Sequence, residues 1–173
     1  MSTINQTKRY TGPDVTVAEV ATDAIPATKP SLFSTLMVLF KARVVTLLLF
    51  SAVGGAFMGA GGWPGLGVLA LTLITGWLAA SGASAWNQYI ERRSDGTMVR
   101  TRHRPLVNGD IANPAWVPWV ATAMIILSVL IALPFSLDLA FWLAAGAFIY
   151  VIIYTFWLKP RTTLNIVIGG AAG

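Results

Sequence analysis

An all-α bundle of membrane-spanning helices is the fold this sequence predicts, and three observations predict it. Charged residues are 11% of the chain against 55% hydrophobic, where a water-soluble domain typically carries about 25% charged. The mean hydropathy is +0.68. The charges are also segregated: none lies between Arg43 and Glu91, and only Asp138 lies between Asp110 and Lys159. Each uncharged interval can hold the roughly 20 apolar residues that cross a hydrocarbon core of about 30 Å. Cys is absent, which excludes disulfides, thiolate metal sites and a Cys nucleophile, and the single His, His103, excludes a multi-histidine centre within the chain. The net charge of +5 could suit nucleic acid. The basic residues, however, sit in connections between apolar runs, the pattern of a membrane surface and not of a DNA-binding face.

Taken in order, residues 1–30 are polar, rich in Thr, Ala and Pro, and without apolar periodicity, so they predict a disordered tail. No apolar core follows a basic start there, which excludes a secretory signal. Asp14, Glu19 and Asp23 argue against a mitochondrial transit peptide. The stretch SLFSTLMVLF predicts a short interfacial helix, and the first span follows over residues 44–60. GAGGWPGLG is a turn, with Pro and repeated Gly to stop a helix. The second span covers 66–86 and the third 116–133, interrupted early by Pro118. After a PFSLD turn the fourth covers 139–158. KPRTT is the next loop, and a fifth apolar run begins at Leu164. That run is still under way at Gly173, where a helix end would leave carbonyls unsatisfied in hydrocarbon, so the sequence reads as the N-terminal part of a larger protein.

All twelve Lys and Arg residues fall on one side of this span assignment, and the two opposite turns have none. That asymmetry predicts that the basic side and the N-terminus face the cytoplasm of a bacterial inner membrane, or the matrix if the membrane is the mitochondrial inner membrane. Small residues within the spans (Gly54, Gly55, Gly59, Gly76, Ala79, Ala80, Gly82 and Ala83) predict close helix packing in lipid, with a channel lining as the alternative. The seven Trp residues fall mostly near span ends, as interface anchors do.

The chemistry is concentrated in residues 87–106, NQYIERRSDGTMVRTRHRPL. Asn87, Glu91 and Asp95 are spaced i, i+4, i+8, which puts them on one helical face if the second span continues past Trp86. Two carboxylates and an amide oxygen are hard ligands of the kind Mg²⁺ takes together with substrate phosphates. Arg100 and Arg104 supply guanidinium forks that match phosphate oxygens. Acids beside bases in one loop therefore fit a metal-bridged diphosphate. The bland alternative is a solvated helix end, with Glu91 paired to Arg92, Asp95 paired to Arg93, and the remaining arginines setting topology. His103 reads as a solvated or phosphate-proximal residue.

These residues resemble the first signature of the UbiA superfamily of intramembrane prenyltransferases, N-x-x-x-[DE]-x-x-x-D. The continuation M-x-R-T-x-x-R-P-L, Met98 to Leu106, narrows the resemblance to the branch that farnesylates heme, as do KARVVTLLLF and TLNIVIGGAAG. The similarity covers residues 41–173. It implies a nine-helix bundle with a central cavity, in which Asn87, Glu91 and Asp95 form the first catalytic motif and Glu91 and Asp95 hold Mg²⁺. Arg43, Arg100 and Arg104 would contact the diphosphate of farnesyl diphosphate. Heme b would be the acceptor, with heme a synthase as a candidate partner. Two departures stand out: Arg93 occupies the place of a further acid in many members, and the second Asp-rich motif of the superfamily's C-terminal half is missing. The expectation is half a site, and no transferase activity from this stretch alone. Alternatives are a quinone-precursor or other aromatic acceptor, or a non-catalytic membrane protein whose basic loop binds anionic lipid.

Overall fold

The computed structural model describes residues 31–99 and 101–161. The tail at 1–30, Arg100 and the fifth apolar run from Leu164 lie outside the described residues. Within them the regular structure is all helical, and four helices are long and apolar enough to cross a membrane. In order they are α1 (Leu32–Leu39), α2 (Ala42–Ala60), α3 (Leu66–Asp95), the short α4 (Pro105–Asn108), α5 (Val117–Ala132) and α6 (Leu137–Phe148), which runs on as a π-helix through Ile149–Leu158.

Local chemistry sets the boundaries. Ser31 caps α1 through its hydroxyl, which accepts from the Ser34 amide at 3.2 Å. Gly61, at φ 63°, closes α2 in the left-handed region that glycine enters without strain. Asn113 accepts from the Ala115 amide at 3.0 Å and opens the 3₁₀ turn Pro114–Trp116 that leads into α5. The sequence suggested that Pro118 interrupts this span. Instead it sits in the first turn of α5, where its missing N–H has no intrahelical partner to lose. Ser136 caps α6, and Asp138 lies in its first turn, favourable at the positive end of the helix dipole.

The second span is longer than sequence hydropathy indicated. α3 has 30 residues, about 45 Å at 1.5 Å each, so roughly ten residues extend past a 30 Å hydrocarbon layer. The helix continues from Trp86 through Asp95 without a break, and Arg92 and Arg93 in its last turn complement the negative end of the dipole. Packing around α3 is close. A Cβ on Gly82 would meet the Ala121 carbonyl oxygen of α5 at 2.7 Å, so glycine there is what lets the two backbones approach. The buried centre is built from Leu39, Ala85, Val117 and Ala121, while large apolar side chains such as Phe50, Trp119 and Phe141 are exposed, as helices in lipid present them.

Candidate diphosphate-binding site

Asn87, Glu91 and Asp95 lie in the last two turns of α3, and the helix brings them to one face as their spacing requires. Asn87 and Asp95 are buried, Asp95 at only 4% exposure. Asn87 Nδ2 donates to Glu91 Oε1 at 2.7 Å and to Thr155 Oγ1 at 3.2 Å. This orients the amide so that its oxygen faces the other way, where it accepts from Lys41 Nζ at 2.8 Å. Glu91 Oε1 also accepts from Lys159 Nζ, while Glu91 Oε2 lies 3.7 Å from Arg104. Arg104 donates to Asp95 Oδ2. Three cations from three separate connections thus close over two carboxylates and one amide.

Each cation is positioned by local structure. Lys41 occupies the elbow between α1 and α2 with φ 48° and ψ 47°, the one non-glycine residue at positive φ among the described residues. Such a conformation persists only where surroundings hold it. Gln88 supplies that hold: fully buried, it donates through Nε2 to Val38 O and Leu39 O, both at 2.8 Å, at the end of α1, where Val38 O also accepts from the Lys41 amide and Leu39 O from the Ser84 hydroxyl. Arg104 precedes Pro105, which keeps it extended (φ −66°, ψ 144°) and turns its side chain back to Asp95. Thr101 ties the same loop down by donating to the Asp95 carbonyl at 3.0 Å. Lys159 follows the π-helix, whose wider turn is visible in hydrogen bonds to carbonyls five residues back: Thr155 Oγ1 to Tyr150 O and Lys159 N to Tyr154 O.

Electrostatics follow from this crowding. Burial pushes the Lys41 ammonium down from 10.5 to about 8, and the Arg104 guanidinium acts in the same direction, partly offset by Glu91. The ion pairs of the bland alternative do not form. Arg92 instead stacks on Tyr89, its Cζ 4.0 Å from the ring centroid, and Arg93 is exposed. Arg93, in the place of a further motif acid, therefore stands outside the cluster. Arg43 is exposed too, and the basic residue of that stretch that reaches the acids is Lys41. Arg104 is in the cluster, and Arg100 lies outside the described residues. Sequence reasoning passed over Lys41, Lys159 and Thr155 as site residues. The first two carried a usable signal, since both border spans at the basic end.

Among the described residues no group of three or more His, Cys, Asp or Glu gathers. Two carboxylates one turn apart nevertheless suit Mg²⁺, which commonly keeps water and substrate phosphates and takes one or two carboxylates. The donor set fits that role, with Glu91 Oε2 meeting, among the described residues, the Arg104 guanidinium alone at 3.7 Å. Below the cluster, a cavity of about 480 Å³ runs between α2, α3 and α6, with Lys41, Ser84 and Tyr150 at the charged end and Gly76 and Trp142 at the other. Its α3 wall is Gly76, Ala79, Ala80 and Ala83, so the small residues serve both close packing, at Gly82, and an opening. From Ser84 to Gly76 is about 12 Å along the helix.

Fold and site together define a polytopic helical membrane protein with a cluster of paired basic and acidic side chains at the mouth of an apolar cavity. Residues 47–173 match the UbiA prenyltransferase family, and the chain belongs to that family. It is 40% identical over 136 residues to the protoheme IX farnesyltransferase of Leptospira biflexa, covering 78% of this chain and 48% of the relative. The protein of that name from Deinococcus radiodurans is 36% identical over 158 residues, covering 87% of this chain and 50% of the relative. The one from Thermus thermophilus is 41% identical over 138 residues, covering 79% of this chain and 22% of the relative. The chain thus spans about half the length of the first two. No solved structure matches.

Proposed function

We propose that this chain supplies the diphosphate-binding part of an intramembrane prenyltransferase that moves the farnesyl group of farnesyl diphosphate to a vinyl group of heme b, giving heme o. The observation that carries the reading is the convergence of Lys41, Arg104 and Lys159 on Asn87, Glu91 and Asp95 at the mouth of an apolar cavity. The names of the relatives support farnesyl and heme as the substrates.

In this reading the isoprenoid tail lies in the cavity and the diphosphate at the cluster. Mg²⁺ held by Glu91 and Asp95 would supply positive charge against the phosphate oxygens. Lys41, Arg104 and Lys159 turn from the carboxylates to the diphosphate and stabilise the negative charge that develops as the leaving group departs. The C1–O bond of the farnesyl group breaks, and the diphosphate leaves with the electron pair. The vinyl π-electrons of heme b then form the new carbon–carbon bond. Water adds to the resulting cation and loses a proton, leaving a hydroxyethylfarnesyl group. The apolar walls keep water from the allylic cation until the bond to heme has formed. The setting is a bacterial inner membrane with the cluster on the cytoplasmic side, and heme a synthase would consume the product.

The test gives the full-length protein heme b, farnesyl diphosphate and Mg²⁺ and looks by mass spectrometry for heme o. Farnesylation of a hydroxybenzoate in place of heme b would overturn the acceptor assignment.

A further inference from the structure

We propose that the groove between α3, α5 and α6 is a binding site for an anionic phospholipid, with an acyl chain in the groove and the headgroup phosphate on Arg92. The groove has a volume of about 820 Å³, within the roughly 300–1,000 Å³ of sites that hold small ligands. It lies on the side of α3 opposite the acids, since Trp86, Tyr89 and Arg92 line it and Asn87, Glu91 and Asp95 do not. The inference is therefore independent of prenyl transfer.

Depth and charge select the occupant. Counted from Leu66, about 20 residues of α3 fill the hydrocarbon layer, which puts its boundary near Trp86. That indole donates to Thr122 Oγ1 at 3.0 Å, an amphipathic ring at the height where such rings collect. Arg92 stands six residues further on, about 9 Å above the boundary, at the level of lipid phosphates. Along α5 the groove runs from Thr122 to Leu130, about 12 Å, close to the ~15 Å that one leaflet contributes to a 30 Å core. Below Arg92 the walls are apolar, with Ile126, Phe148 and Ile152 about half exposed.

Arg92 is held in place for this role. It stacks on Tyr89 and donates through one guanidinium nitrogen to the Tyr89 carbonyl at 2.6 Å, which leaves the other donors of the fork for an anion. The carboxylates nearest in sequence do not neutralise it, because Glu91 and Asp95 are paired with Lys159 and Arg104. A fixed cation that has no carboxylate partner among the described residues, above an apolar groove one leaflet deep, complements a phospholipid that carries net negative charge.

The test uses the full-length protein in mild detergent, with native mass spectrometry after addition of phosphatidylglycerol or phosphatidylcholine of identical acyl chains. The wild-type protein should retain the anionic lipid about fivefold better, the scale for one basic side chain at a membrane surface. Arg92→Gln should equalise the two lipids, Ile126→Trp should fill the groove and lose both, and Arg102→Gln, at an exposed loop position, should leave the preference intact. Equal retention of the two lipids by the wild type would overturn the assignment, as would a preference that survives Arg92→Gln. A photo-crosslinker at Ile126 that joins another stretch of the protein, and not lipid, would identify a protein segment as the occupant and overturn it equally.

Discussion

Replacing Lys41 with Met should weaken diphosphate binding about 100-fold while making the unliganded protein more stable at neutral pH. An ammonium about 4 Å from one phosphate charge is worth about 4 kcal/mol at an effective dielectric constant near 20. Against this stands the hydrogen bond Lys41 now donates to Asn87 at 2.8 Å, worth about 1 kcal/mol. The net loss is about 3 kcal/mol, or two powers of ten. The pH dependence supplies an internal check. With the Lys41 pKa lowered to about 8, diphosphate binds the charged form. Wild-type affinity should therefore be flat below pH 8 and fall by up to tenfold per unit above it, and that fall should vanish in Lys41→Met. Stability carries the opposite sign. A lysine whose folded pKa is depressed destabilises the fold fully below about 8, and the penalty fades as pH rises from 8 towards the unfolded value of 10.5. Met removes a penalty of up to about 3 kcal/mol at pH 7. The assay is titration calorimetry of the full-length protein with inorganic diphosphate and Mg²⁺ between pH 7 and 9.5, with thermal melts alongside. Unchanged affinity in Lys41→Met, or a wild-type decline above pH 8 that the variant shares, would refute the role assigned to Lys41.

The remaining predictions concern the acids, their support and the packing beneath them. Glu91→Gln and Asp95→Asn should each abolish farnesyl transfer by the full-length protein, whereas a loop that only binds anionic lipid would tolerate both; retained turnover in the double variant would exclude a catalytic role. Thr155→Val removes the hydroxyl that accepts from Asn87 at 3.2 Å, at a cost of about 1 kcal/mol, and should lower diphosphate affinity about fivefold by freeing the amide to rotate, with Thr155→Ser restoring it. Gly82→Ala forces a Cβ to within 2.7 Å of the Ala121 carbonyl and should destabilise the bundle by about 1–3 kcal/mol. Gly59→Ala, where a Cβ meets nothing within 4 Å, should be neutral or slightly stabilising, and equal melting temperatures for the two glycine variants would contradict the packing described.

Much of this was legible from residue order because membrane spans are set by local composition. Hydrocarbon offers no hydrogen bonds, so runs of apolar residues between charges have few alternatives to helix. The four long spans begin within a few residues of where hydropathy placed them. The spacing of Asn87, Glu91 and Asp95 was equally local, since a continuous helix fixes their shared face. Where the reading stopped short, the cause was also physical. Hydropathy ends the second span at Trp86 because polar residues begin there, yet backbone hydrogen bonding carries α3 on to Asp95.

By itself, the sequence determined the class of fold, the basic end of the bundle and the three residues of the acidic face, all of which follow from composition and period. The partners of those residues were decided only by tertiary structure. Arg92 and Arg93 are next to the acids in the chain but project elsewhere on the helix, while Lys41 and Lys159, 46 and 68 residues from their partners, complete the cluster. No local pattern specifies contacts between ends of different spans. They depend on the Gln88 clamp on α1, on the left-handed turn at Lys41 and on the wider π-helical turn before Lys159. These set where each ammonium arrives, and through Lys41 the pH at which the cluster carries its full charge.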